Sequence, residues 1–127
     1  MRYCLDSWAV LAWLQGEEPA ARIVQRAISS RPVMSWINAG EVFYIVARSA
    51  GEQAASEAVR DLRRVVDLET PDDRRVLEAA AIKAVHTMAY ADAFAVATAA
   101  AHDLTLLTGD PEILSARGDW RVRDLRG

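Results

Sequence analysis

The chain has 127 residues, a formal net charge of −3, and a composition that is 52% hydrophobic and 26% charged. This length suits one domain, over 1–127, that buries its core without staples, and a lone cysteine excludes an internal disulfide. No apolar run is long enough to cross a bilayer. The start also lacks the basic and apolar regions of a secretion signal, so we expect a cytoplasmic protein without membrane association.

Short apolar strands alternate with longer helical patterns along the chain. The first half predicts a strand over 3–5, helices over 7–14 and 19–29, a strand over 32–34, and paired helices over 36–49 and 52–64. The second half predicts a strand over 65–68, helices over 71–86 and 91–102, a strand over 104–107, a short helix over 110–116 and an edge strand over 120–122. This alternation predicts an α/β sandwich with a mostly parallel central sheet of four to five strands.

Four apolar segments each contain a single charged residue, and in each the charge is an acid. Segments 3–14, 32–47, 89–101 and 104–111 carry, in that order, Asp6, Glu41, Asp92 and Asp110. An ionised carboxylate loses several kcal/mol of hydration on burial unless a counter-charge compensates it. We therefore predict that the four acids share a bound cation.

The predicted elements bring these acids to one edge of the sheet. Asp6 and Asp110 follow predicted strands, and Asp92 lies in the first turn of a predicted helix. The carboxyl ends of parallel strands and the N-termini of the helices that follow them meet at the same edge. An alternative interpretation is that each of these three residues caps a helix, which stabilises a helix by about 0.5–2 kcal/mol.

Glu41 has no capping role, because it lies in the middle of a predicted helix. Ile37 precedes it by one turn, and Tyr44 and Ile45 follow by one turn. We therefore expect Glu41 to project from the face of the helix that buries apolar neighbours. Four lone acids in four apolar segments together favour one acidic pocket over four independent caps.

Carboxylates without a His or Cys cluster select Mg²⁺ or Mn²⁺, and such a site suits phosphodiester hydrolysis. The chain has no Gly-rich phosphate loop, nucleophile elbow or Cys/His metal spacing. A phosphoaspartyl enzyme would use a lysine at a strand end, whereas the one lysine, Lys83, lies in mid-helix. His86 and His102 each end a predicted helix, where we expect structural roles.

Three segments resemble the PIN-domain ribonucleases, and specifically the VapC toxins of bacterial type II toxin–antitoxin modules. They are YCLDSWAVLAWL, NAGEVFY and YADAFAVATAAAHDLTLLTGDPEI, and the resemblance spans nearly the whole chain. Trp8 departs from the pattern, since the resemblance leads us to expect a smaller or β-branched residue there.

The resemblance implies a PIN-like three-layer α/β/α sandwich and a metal-dependent endoribonuclease with one or two Mg²⁺ or Mn²⁺ ions. It implies Asp6 and Asp92 as direct metal ligands. Glu41 and Asp110 would bind through water, orient the nucleophile or hold a second ion. Ser7 and Thr108 would support the ligands by hydrogen bonds. The implied partners are an RNA substrate, a cognate VapB-type antitoxin and a second copy of the chain in a homodimer.

An alternative hypothesis is a catalytically inactive PIN-like interaction module whose acids bind a structural ion or cap helices. A negative net charge alone argues against a nucleic-acid substrate, but acids that bind cations would reverse that sign locally. Most of the basic residues are arginines, whose planar fork suits phosphate. The candidate RNA contacts, each with surface solvation as its alternative, are Arg22, Arg26, Arg48 and Lys83. The sequence leaves the target RNA open.

Overall fold

The computed structural model describes residues 1–127 and contains five strands and seven helices. The strands are β1 Tyr3–Leu5, β2 Val33–Ser35, β3 Asp67–Glu69, β4 Thr105–Thr108 and β5 Arg121–Asp124. The helices are α1 Ser7–Gln15, α2 Ala20–Ile28, α3 Trp36–Ala50, α4 Glu52–Val65, α5 Asp73–Val85, α6 Tyr90–Ala101 and α7 Pro111–Ser115. None of these helices has the length and apolar character needed to cross a membrane.

The five strands form one sheet in the order β3-β2-β1-β4-β5, and all neighbouring strands are parallel. Leu5 pairs with Leu107 and Ser35 pairs with Glu69, so the strands end near one another along the same edge. A parallel sheet requires cover on both faces, which the helices provide. The structure confirms the expected α/β/α sandwich, with a sheet that is wholly rather than mostly parallel.

Two apolar cores lie on the two faces of the sheet. Successive strand residues point to opposite faces, so Cys4 belongs to one core and Leu5 to the other, as do Leu106 and Leu107. The Leu5 core packs against α1 to α4, and the Cys4 core packs against α5, α6 and α7. Helix α6 is buried without interruption from Asp92 to Ala99, since its many alanines allow close packing against the sheet.

The observed bounds differ from the sequence prediction by only a few residues. Strand β2 is shifted by one residue and ends at Ser35, whose hydroxyl accepts a 3.2 Å hydrogen bond from the first turn of α3. Strand β5 begins after Trp120, whose ring packs edge-on against His86 with the ring centroids 5.2 Å apart. Helix α5 begins at Asp73, two residues later than predicted, and the Asp72 side chain caps it by accepting a hydrogen bond from the Arg75 N–H.

Candidate active site

The acids singled out in the sequence lie where β1 and β4 end and where α3 and α6 begin. Asp6 follows β1, Asp110 follows β4 after one intervening residue, Asp92 is in the first turn of α6 and Glu41 is in the second turn of α3. Burial is the main cause of the raised pKa values of Asp6 and Asp92, and neighbouring acids add to it. The charges of these acids act on one another, because Asp92 and Asp110 raise the pKa of Asp6 further, and Asp110 and Glu41 raise that of Asp92.

Asp6 is both a helix cap and a member of this acidic group. It is only 1% exposed, and its Oδ1 accepts a 2.8 Å hydrogen bond from the Ala9 N–H while Oδ2 accepts one from the Thr108 hydroxyl. Burial raises the pKa of Asp6 to about 7 even though both hydrogen bonds favour the ionised form. The capping interpretation and the pocket interpretation are therefore compatible.

Thr108 and Asp110 form a connected turn at the end of β4. The Thr108 Oγ1 accepts a 3.0 Å hydrogen bond from the Asp110 N–H, and the Thr108 hydroxyl donates to Asp6. The Asp110 Oδ1 caps α7 by accepting from the N–H groups of Glu112 and Ile113, at 2.9 and 3.1 Å. The Asp110 Oδ2 accepts no hydrogen bond and is free to bind a ligand.

Trp8, the unexpected bulky residue, packs directly over this turn. A Cβ atom added at Gly109 would lie 2.3 Å from the Trp8 indole, so only glycine fits between Thr108 and Asp110. The indole therefore covers the turn that positions both of those side chains relative to Asp6.

Glu41 is held by two side chains, one of them absent from the sequence-based site. The Ser7 hydroxyl donates a 2.7 Å hydrogen bond to Glu41 Oε1, and the Asn38 amide donates to the same oxygen at 3.3 Å. Asn38 also donates to the Ala91 carbonyl at 3.0 Å, next to Asp92. Asn38 is fully buried and its Oδ1 has no partner. Its position one turn before Glu41 on α3 is the signal that could have identified it.

The expectation that Glu41 projects from a buried apolar face is wrong. Ile37 and Tyr44, on either side of it along α3, are 37% and 44% exposed. The buried residues in this part of α3 are Asn38, Ala39 and Val42. Glu41 is itself partly exposed, so the carboxylate lies at the rim of the core. The exposed apolar side chains of Ile37 and Tyr44 therefore lie beside Glu41 on the surface of α3.

Glu112 is a fifth acid at this edge. Carboxylate oxygens of Asp92, Asp110 and Glu112 lie within 4.8 Å of one another. Burial, followed by the charges of Asp110 and Glu41, raises the pKa of Asp92 to about 7. The sequence signal for Glu112 was its place two residues after Asp110, in the first turn of α7. We call Asp6, Glu41, Asp92, Asp110 and Glu112 the acidic site.

No arginine, lysine or histidine forms an ion pair with any member of the acidic site. Crowded carboxylates without a counter-charge either take up protons or bind a cation. Hard oxygen donors of this kind suit Mg²⁺ or Mn²⁺. The donor set therefore fits a divalent cation.

The candidate RNA-contacting cations lie in separate places. Arg22 is 3.9 Å from Glu18 and lines a surface pocket on α2 with Arg26. The Arg48 guanidinium lies 4.9 Å from the centre of the Tyr44 ring, and Lys83 donates to the Met88 carbonyl at 2.8 Å. Their contacts with RNA stay a prediction.

The family profile described as PIN domain matches residues 3–118. No curated protein sequence matches the chain. Among solved structures, VapBC2 of Rickettsia felis bound to a promoter DNA fragment has a TM-score of 0.77 at 13% identity, covering 98% of both chains. VapBC-1 of nontypeable Haemophilus influenzae has a TM-score of 0.75 at 20% identity, covering 100% of both.

The structure of VapC20 of Mycobacterium tuberculosis, described as a toxin that cleaves the sarcin-ricin loop, is similar with a TM-score of 0.72. It is 18% identical, and the alignment covers 95% of this chain and 99% of that one. These structural likenesses agree with the fold, and the profile match extends over nearly the whole sequence. The chain belongs to the PIN domain family.

Proposed function

We propose that this protein is a Mg²⁺- or Mn²⁺-dependent endoribonuclease, the VapC-type toxin of a type II toxin–antitoxin module. The observation that carries the proposal is the acidic site, which collects five carboxylates at one sheet edge of a PIN fold and pairs none with a protein cation. The similarity to VapBC structures supports the toxin assignment. The reaction class is hydrolysis of RNA phosphodiester bonds.

The residues have distinct roles in this proposal. Asp92, Asp110 and Glu112 offer the most closely spaced oxygens for one or two ions, and Asp6 and Glu41 complete the site. When bound, the metal would stabilise the charge of the phosphodiester and activate an attacking water.

Ser7 and Asn38 hold the Glu41 carboxylate in place, and the Thr108 hydroxyl holds Asp6. In the absence of metal, burial lets Asp6 and Asp92 keep protons close to neutral pH. Binding a cation would displace those protons.

We propose that a cognate VapB-type antitoxin covers the exposed apolar residues beside the acidic site. Ile37 and Tyr44 on α3 and Tyr90 at the start of α6 are each at least 37% exposed, and they flank Glu41 and Asp92. A partner bound there would obstruct access of RNA. We also propose a homodimer and a cytoplasmic location, which suit such a module.

The proposal is tested by incubating purified, antitoxin-free protein with cellular RNA, with and without Mg²⁺ or Mn²⁺. We expect cleavage that requires the metal and that falls about a hundredfold or more in Asp92→Asn, because a metal ligand is lost. Cleavage without added metal in the presence of EDTA, or equal cleavage by Asp92→Asn, would refute it.

The second candidate is a catalytically inactive PIN-like module. It is favoured by the capping hydrogen bonds that Asp6 and Asp110 make to Ala9, Glu112 and Ile113. In that case Mg²⁺ would raise the melting temperature while every RNA stayed intact.

A further inference from the structure

A surface pocket of ≈ 410 Å³ adjoins the acidic site. One wall is the segment after α5, with His86 and Thr87, and the other is α7 and the residues that follow it, with Ser115 and Arg117. Its volume lies in the range of small-ligand sites, about 300–1,000 Å³. Glu112 also lines it, so the pocket and the acidic site share a wall.

Apart from the Ser115 hydroxyl, which donates a 2.7 Å hydrogen bond to the Pro111 carbonyl, the polar side chains of this pocket have no partner within the protein. Arg117 forms no ion pair and donates no hydrogen bond, and neither the Thr87 hydroxyl nor the His86 ring nitrogens bond to another protein group. The His86 ring is fixed by its edge-on packing against Trp120. The pocket therefore presents one guanidinium, one imidazole, one hydroxyl and one carboxylate to solvent.

We infer that this pocket binds the ribonucleotide that flanks the cleaved phosphodiester, an inference that rests on the proposed function. The Arg117 guanidinium donates to the phosphate of that nucleotide, since arginine presents several donors in a fork that matches phosphate oxygens. Thr87 and Glu112 face the ribose. Glu112 has two carboxylate oxygens, so one can serve the cation with Asp92 and Asp110 while the other accepts a hydrogen bond from the 2′-hydroxyl. A strand held in this way runs from Arg117 past Glu112 to Asp92 and Asp110.

This arrangement explains how the site would prefer RNA over DNA. The 2′-hydroxyl is the group by which a protein distinguishes the two at a given position. A deoxyribose leaves the Glu112 carboxylate without that donor, and the negative wall then only repels the neighbouring phosphate. The pocket therefore contributes to the choice of substrate, and Glu112 connects it to the acidic site, which contributes the chemistry.

The first test is steady-state cleavage of an RNA oligonucleotide with Mg²⁺ by wild type, Arg117→Ala and Arg64→Ala. Arg64 is the matched control, because it is an exposed arginine with an unpaired side chain. It lies at the end of α4, at the sheet edge opposite the acidic site, where its backbone carbonyl accepts a hydrogen bond from Arg31. We expect Arg117→Ala to raise KM about fivefold to tenfold while kcat changes less than twofold. The slope of log KM against log salt should fall by about 0.7, the value for one lost single-strand phosphate contact.

A second test needs no cleavage and separates the two proposals. The chain has two histidines, so the imidazole NMR signals of His86 and His102 serve as probe and internal control. Titrating metal-free protein with uridine 3′-monophosphate should shift the His86 signals and leave those of His102 in place. Deoxyuridine 3′-monophosphate and inorganic phosphate should bind several-fold more weakly, and Arg117→Ala should abolish the shift.

The outcomes distinguish the two failures. A wild type that cleaves RNA but responds equally to Arg117→Ala and Arg64→Ala overturns the nucleotide pocket and leaves the proposed function standing. A wild type that cleaves no RNA overturns the proposed function. A His86 signal that is unmoved by uridine 3′-monophosphate, or that moves only when a protein partner is added, overturns the pocket in either case.

Discussion

Glu69 and the acidic site differ in how the loss of hydration of a carboxylate is compensated. Glu69 ends β3, and it accepts hydrogen bonds from Arg75 Nε at 3.0 Å and is 2.7 Å from His102 Nε2. Burial raises the pKa of Glu69, but its hydrogen bonds with Arg75 and His102 outweigh burial and hold it below its usual range. Asp6 and Asp92 receive no such cation, and burial raises the pKa of each to about 7.

The difference shows that this chain can neutralise an acid internally and does not do so at the acidic site. Arginines are plentiful, yet none pairs with those five carboxylates. A counter-charge from outside the chain, a divalent cation, fits that arrangement. The comparison therefore predicts that substitutions in the acidic site lower RNA cleavage, whereas substitution of Glu69 does not. It also predicts that the charge of Asp6 destabilises the metal-free fold, whereas the charge of Glu69 stabilises it.

The largest expected effect is on RNA cleavage, measured with the same substitution in both places. Glu41→Gln should lower the cleavage rate about a hundredfold, because it removes a charge that holds metal or orients the nucleophile. Glu69→Gln should stay within about twofold of wild type, since its partners are Arg75 and His102. Comparable losses in both variants would show that Glu41 acts through folding rather than through the site.

The alternation of strands and helices made most of the fold predictable from sequence. A lone acid directly after an apolar strand, such as Asp6, is visible in the sequence because strand ends and helix starts share one edge. Asp110 and Asp92 were found by the same logic. The structure shows that two of these acids also cap helices, which the sequence could not distinguish from pocket residues.

Glu112, Asn38 and the environment of Glu41 could not be predicted with the same logic. In the sequence, Glu112 is indistinguishable from an ordinary acid in the first turn of a short helix. Only the packing of α7 in the folded protein brings its carboxylate close to that of Asp92. The spacing of Asn38 and Glu41 on α3 predicts that the two side chains are neighbours, but the hydrogen bond from Asn38 to the Ala91 carbonyl of α6 is a tertiary contact that local spacing does not encode. Apolar residues around Glu41 indicate an apolar face, but the pattern cannot tell a core from an exposed rim.

The next largest effect is the change in the free energy of unfolding caused by Asp6 near neutral pH. The pKa of Asp6 rises from an ordinary value of 3.8 to about 7 on folding, so the folded state binds the proton more tightly than the unfolded state. Stability is therefore highest below about pH 4 for this group and declines as pH rises toward 7. The full shift corresponds to about 4 kcal/mol at pH 8. Asparagine has a single oxygen and cannot accept both hydrogen bonds that Asp6 accepts, so in metal-free protein at pH 8 we expect Asp6→Asn to be more stable than wild type by about 2 kcal/mol.

Urea unfolding in EDTA across pH 4–8 checks this expectation, with Glu57→Gln as a control at an exposed position on α4. Asparagine retains an oxygen that can cap α1, so the helix cap survives the change. Added Mg²⁺ should stabilise wild type more than Asp6→Asn. A wild type and variant whose difference in unfolding free energy is the same at pH 4 and pH 8 would contradict the argument.

The smallest effect lies on the acid side, where Glu69 has the opposite sign. Its folded pKa is depressed, so its contribution is complete above its unfolded pKa and is lost as pH falls through the folded pKa. We expect Glu69→Gln to cost about 1 kcal/mol at pH 7, as for a partly buried charged hydrogen bond, and to approach wild-type stability in acid. The same urea experiment extended to pH 3 measures it. If Glu69→Gln lowers the free energy of unfolding by the same amount at every pH, then the side chain stabilises the fold by packing and not through its charged contacts with Arg75 and His102.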